Sequence, residues 1–209
     1  MFNSKILLSA ASIAAASAII VGATFAYFSD SGNSNNNSFA AGTLDLKLSD
    51  DTPEADQDNV TASFGGSNLK PGDVISSELR LKNTGTINGS HVDIAIANTN
   101  SDGVNPLDKV LQITKLQYDK NGDGDVTDPG EDLLTAGTVV DSGSDGNAYV
   151  DLGDLADQDL DDHTLSLTDL NVNHRLVLEV TFDSTAGNQY QGDNVSSNWT
   201  VTLQQDASQ

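Results

Sequence analysis

The feature that most constrains this chain is a two-residue alternation of apolar and polar side chains, set in short blocks between turn residues. The cleanest blocks lie near the end: Leu176, Leu178, Val180 and Phe182, then Val195, Ser197, Trp199, Val201 and Leu203. Successive side chains of a strand point to opposite faces, so this period marks strands buried on one face only. Residues 43–48, 60–64, 75–81 and 91–97 carry the same pattern. Residues 110–118 put Leu111 and Ile113 on one parity and Leu116 and Tyr118 on the other, which leaves that register open. Further strands are expected at 133–140, 148–152 and 165–170.

Gly, Asn, Asp and Pro separate these blocks. In Asn68-Leu69-Lys70-Pro71-Gly72-Asp73, Pro71 fixes φ and Gly72 tolerates positive φ, as a type II turn requires. The strand that follows stops at Asn83-Thr84-Gly85. Leu152, Leu155 and Leu160 predict a short helical turn or a loop across one end. Among these blocks there is no run suited to a helix of three turns. The expectation is an all-β fold, an antiparallel β-sandwich that is jelly-roll-like.

A different composition precedes the blocks. Lys5 leads an uninterrupted run of Ala, Ile, Leu, Val, Gly and Ser at 6–22, followed by Thr24-Phe25-Ala26. That is the layout of a secretory signal peptide, with signal peptidase cutting between Ala26 and Tyr27. An uncleaved anchor is the alternative, since the run almost spans a bilayer, but its Ala and Ser content and the small residue at Ala26 favour cleavage. A Ser/Asn/Gly tether then runs from 29 to 38. The expected organisation is a signal peptide at 1–26, an arm at 27–38 and a β-domain at 39–209. The mature chain is expected to be secreted, extracellular or at the cell surface, with no membrane segment after cleavage.

The chain holds 31 acidic and 9 basic residues, a formal charge of −22. Nucleic acid and anionic lipid repel such a chain, so neither is an expected partner. A salt-rich or calcium-rich exterior suits it. With no cysteine, an exported chain of this size relies on its core, on metal or on partner subunits.

Metal is signalled at 119–131, where Asp119, Asn121, Asp123 and Asp125 alternate and Gly124 takes the sixth place. Oxygen side chains at alternate positions with a glycine at the sharp turn are what a calcium loop needs. Asp128 and Glu131 complete the candidate ligands. The end departs from an EF-hand, because Gly130 holds the twelfth place and Glu131 the thirteenth. An acidic hairpin tip, with Asn-Gly and Asp-Gly serving only the turn, is the alternative reading. For catalysis the residues offer little. His91, His163 and His174 are the only histidines, and none lies in an H-E-x-x-H arrangement. No cysteine nucleophile or G-x-S-x-G elbow is present. A non-enzymatic role is expected.

Several landmarks resemble a known family. Thr24-Phe25-Ala26-Tyr27-Phe28-Ser29-Asp30 and Phe39-Ala40-Ala41-Gly42-Thr43-Leu44-Asp45-Leu46 are similar to the start of TasA- and camelysin-type proteins. Asn68-Leu69-Lys70-Pro71-Gly72-Asp73, Asn83-Thr84-Gly85 and Asn188-Gln189-Tyr190-Gln191-Gly192-Asp193 follow in the same order and spacing. The likeness covers both ends well and 98–173 poorly. It implies a secreted jelly-roll subunit of biofilm-matrix filaments, exported through a dedicated, SipW-type signal peptidase. It also implies that the mature N-terminus is donated as a strand to the next subunit, giving a head-to-tail homopolymer. Mapped here, the donor begins Tyr27, Phe28, Ser29, Asp30, Ser31. Ten extended residues reach about 33 Å, enough to cross to a neighbour. Camelysin is described as a metalloprotease, so a secreted metalloprotease stands as one alternative. A monomeric calcium-binding surface adhesion module is the other.

Overall fold

The structure is a computed structural model that describes residues 4–24, 41–50, 56–60, 64–143, 145–158, 160 and 165–205. It divides into two units, Met1–Ala40 and Ala41–Gln209. In the first, the apolar leader forms helix α1, Ser4–Thr24. The hydroxyls of Ser9 and Ser12 donate to the carbonyls three residues back, each at 2.9 Å, so these two groups are satisfied within the helix. The expected cleavage site and arm, residues 26–38, lie outside the described residues.

In the second unit the alternation becomes antiparallel pairing. The strands are β1 (Leu46–Ser49), β2 (Val74–Asn83), β3 (His91–Asn100), β4 (Leu111–Tyr118), β5 (His174–Phe182) and β6 (Val195–Gln204). One sheet has the order β1-β2-β5-β4, and the other pairs β3 with β6. The β5 leucines show why the pattern works: Leu176, Leu178, Val180 and Phe182 are buried while their neighbours are half-exposed. A β-bulge between Ile113 and Lys115 resolves the conflicting parity of β4. The extra residue, Thr114, turns outward, and Leu111, Ile113, Leu116 and Tyr118 all reach the core. Leucines and isoleucines from both sheets meet in a single buried cluster.

Three expected strands are not strands. Residues 133–140 form turns in which the Asp132 carboxylate accepts the N–H groups of Leu134 and Thr135 at 3.1 and 3.2 Å. Residues 148–152 run as a loop into helix α2 (Leu152–Gln158), joined to β4 by a single bridge between Gln112 and Asp151. Residues 165–170 form no ladder, and their backbone pairs with the sheets through the isolated bridges of Ser166 and Leu170. Yet Leu133, Val139, Leu165 and Leu167 are all buried. Alternation reports burial, and an irregular segment laid over a sheet edge buries every second side chain just as a strand does. Of the short strand expected at 60–64, Val60 is unpaired, Phe64 lies in a bend and 61–63 fall outside the described residues. The predicted helical turn at 152 is α2.

The Asn83-Thr84-Gly85 stop clamps β1 to β2. The fully buried Asn83 side chain accepts the N–H of Gly85 at 3.0 Å and of Asp45 at 3.3 Å, and donates to the Ile87 carbonyl at 2.9 Å. A Cβ on Gly85 would lie 2.1 Å from the Thr43 carbonyl oxygen, a backbone atom that cannot swing away. Gly85→Ala is therefore expected to destabilise the domain by about 1–3 kcal/mol. Gly65→Ala, with nothing within 4 Å of the added carbon, is expected to change little. Urea melts of the two variants decide it.

Candidate functional site

Strand edges lead to the first candidate. The outer edge of β3 is covered, with the N–H groups of Val92 and Ile94 donating to Leu165 and Leu160 at 2.8 and 2.6 Å. The outer edge of β4 is covered by 150 and 133, and β1 by Gln57. Two edges are bare among the described residues. Among the described residues, 195–203 of β6 make backbone bonds to β3 alone, and 74–77 of β2 to β5 alone. The inner side chains record the same gap. On β3, Val92, Ile94 and Ile96 are buried, whereas Val195, Ser197, Trp199, Val201 and Leu203 on β6 are only half-buried.

Between these edges lies a cleft of about 780 Å³. Ile75, Leu178, Val180 and Phe182 form its floor from the larger sheet, and Val195, Ser197 and Trp199 one wall. Phe64 packs on Trp199 with ring centroids 4.8 Å apart, and Tyr190 meets Phe182 edge-on at 6.5 Å. The turn expected at 68–73 and the landmark at 188–193 both contribute to its rim. An apolar trough bordered by strand edges that no other described segment covers is shaped for an extended peptide.

The second candidate is the acidic loop at 119–131. Gly124 has φ of 92°, the conformation for which a glycine was expected there. Asp119, fully buried, accepts the N–H groups of Gly122 and Gly124 at 2.6 and 3.0 Å. Glu131, also buried, accepts those of Lys120 and Asp128 at 3.0 and 2.9 Å, closing the loop like a buckle. Asn121 donates to Asp123 and Asp128, at 3.2 and 2.8 Å. The N–H and hydroxyl of Thr127 hold the Asp125 carboxyl below the usual carboxylate range. Each of these six residues is thus engaged within the loop.

A third centre was missed in the sequence. Asp145, Asp151 and Asp154 each place a carboxylate oxygen within 4.8 Å of the other two. Asp151 and Asp154 begin α2 as a reciprocal cap, each accepting the other's N–H at 3.0 and 3.2 Å. Burial, with the neighbouring Asp145, pushes the Asp151 carboxyl up to about 7. The spacing Asp-x-x-Asp at 151 and 154 was the available signal. It was hidden by reading 148–152 as a strand.

The histidines occupy strand starts. His91 begins β3, with Nε2 3.3 Å from Asp93, and buried His174 begins β5, with Nδ1–H donating to the Asp119 carbonyl at 2.8 Å. Neither belongs to the three-carboxylate group. His163 lies outside the described residues.

Electrostatics tie the loop to the sheet. Arg175 donates through Nη1 to the Gly124 carbonyl at 2.8 Å and through Nε to Glu78 at 2.9 Å. Arg80 adds a bond to the same carboxylate at 2.6 Å. Burial raises the Glu78 carboxyl, but the two guanidiniums outweigh it and hold the group below its ordinary value. A depressed folded pKa means stability that is present above the unfolded value and lost as pH falls through the folded one. Glu78→Gln is expected to cost about 1–3 kcal/mol at neutral pH and to flatten stability below about pH 4.5. Acid titration of the melting temperature checks this: a variant with the wild-type acid slope would contradict it.

Comparison with known proteins agrees with the landmarks. A family model described as camelysin metallo-endopeptidase matches residues 1–209. No curated protein matches the chain.

Proposed function

The chain belongs to the camelysin metallo-endopeptidase family, which includes TasA, and on that premise we propose that it is a secreted structural subunit of biofilm-matrix filaments. The observation that carries the reading is the bare edge of β6 beside the apolar cleft. In this proposal residues 1–26 are a signal peptide removed by signal peptidase, 27–38 an arm, and 39–209 a jelly-roll-like domain. The arm of one subunit lies along β6 of the next, its main chain pairing with the exposed N–H and C=O groups. Tyr27 and Phe28 seat in the trough beside Phe64 and Trp199, since the Ser and Asn residues that follow add little apolar contact. A head-to-tail contact of this kind does not close on itself, so it propagates as a filament.

The role proposed is structural rather than catalytic, and calcium on the loop holding Asp119, Asn121, Asp123, Asp125, Asp128 and Glu131 is proposed to stiffen the domain. The family's description makes a secreted metallo-endopeptidase the competing reading. It predicts peptide cleavage by purified monomer, which the structural reading does not.

Negative-stain imaging tests assembly on three forms: the chain from Tyr27, the same chain lacking residues 27–38, and a Ser197→Arg variant that puts a charge in the cleft. Filaments are expected from the first form only, with Ser197→Arg keeping the wild-type melting temperature. Filaments from the truncated form would remove the arm from the mechanism.

A further inference from the structure

We infer, resting on the assembly by arm and cleft proposed above, that residues 64–69 form an autoinhibitory strap. It lies across the cleft in the free subunit and swings aside to admit the arm of another copy. Residues 64–69 all line the cleft. At one end Phe64 packs on Trp199 of β6, with ring centroids 4.8 Å apart. Farther along, Gly66 lies against β2, where a Cβ on it would come within 2.7 Å of Ile75 Cδ1. The strap therefore touches both strands whose edges are bare.

It touches them through apolar contact only. Among the described residues, 64–69 make no hydrogen bond, from backbone or from side chain. The first bonds come at the turn that follows. There the N–H and Nζ of Lys70 donate to the Asp73 carboxylate at 3.0 and 2.6 Å, and the Gly72 N–H donates to the Phe182 carbonyl at 2.8 Å. One end of the strap is thus fixed to the larger sheet, and the rest is held by Phe64 and by Leu69, which packs on the core. Gly65 and Gly66, both exposed, give the backbone behind Phe64 freedom to turn.

Such a strap fills part of the trough with apolar side chains and leaves 195–203 of β6 and 74–77 of β2 without added backbone partners. An entering arm supplies apolar rings and backbone pairing together, so it displaces the strap. The two sequences suit that exchange. Phe64-Gly65-Gly66-Ser67-Asn68 is an aromatic residue followed by small and polar ones, as is Phe28-Ser29-Asp30-Ser31-Gly32 of the arm. Phe64 gives up its place on Trp199 to an arm ring and comes to lie beside it. Only subunits with an open strap accept an arm, so assembly scales with the open fraction.

A disulfide lock tests the strap, because the chain has no cysteine of its own. A Cβ on Gly66 would lie 3.1 Å from Ile75 Cγ1, a spacing that a disulfide between Gly66→Cys and Ile75→Cys can span. Light scattering follows filament growth by the chain from Tyr27 carrying both substitutions, oxidised and then reduced. The oxidised form is expected to assemble about tenfold more slowly or not at all, and reduction is expected to restore growth. Leu69→Ala, which loosens the strap without altering the ring on Trp199, is expected to assemble about threefold faster than wild type. Melting verifies that each variant is folded. Equal growth by the oxidised and reduced forms, or Leu69→Ala growing no faster than wild type, would overturn the strap. If the reduced double variant does not assemble, Leu69→Ala decides alone. No filaments from the wild type would remove the assembly reading and the strap's role with it. Wild-type filaments with equal growth in both redox states would remove the strap alone.

Discussion

A strand at the rim of a sheet carries a row of N–H and C=O groups that need partners, and in this domain most such rows are covered from within. Irregular segments that look like strands in sequence do the covering. Residues 160 and 165 lie on β3, residues 133 and 150 on β4, and Gln57 on β1. Among the described residues the edge of β6 is left, and with it residues 74–77 of β2. Both open onto the same apolar trough, so one added strand can meet the needs of backbone and side chains together. The half-buried Trp199 expresses that incompleteness. It packs against Phe64 on one side and faces the cleft on the other.

The strand cores were legible because β-branched and leucine side chains repeat at two-residue spacing with clear stops. Where the parity broke in β4, the sequence already held the explanation, an extra residue at Thr114, but only pairing with β5 identifies it as a bulge. The covering segments were not legible as such. Leu133, Leu165 and Leu167 are buried like strand residues, and nothing local tells a ladder from a strap. The turn glycines were readable for a simpler reason: Gly72 and Gly124 hold positive φ, which few other residues tolerate.

The acidic sites divide in the same way. The loop at 119–131 announces itself by alternate oxygen side chains, and its residues fold into one buckle closed by Glu131. The group of Asp145, Asp151 and Asp154 gathers the loop before α2 and α2 itself and has no continuous motif. It depends on α2 packing over β4, which the sequence does not state. In a chain with 31 acidic and 9 basic residues, carboxylates at any one spacing say little. Convergence and burial distinguish these from the rest.

The central claim is that the arm of one chain lies in the cleft of another. The chain has no cysteine, so introduced thiols can pair only with each other. The direct measurement is oxidative cross-linking of the chain from Tyr27 carrying Ser197→Cys together with Ser29→Cys, Ser31→Cys or Ser34→Cys, analysed on a denaturing gel. The account predicts a ladder of covalent multimers that appears when both thiols are present and vanishes with either one alone. A double-thiol chain that forms filaments yet gives no ladder with any of the three arm positions would contradict it.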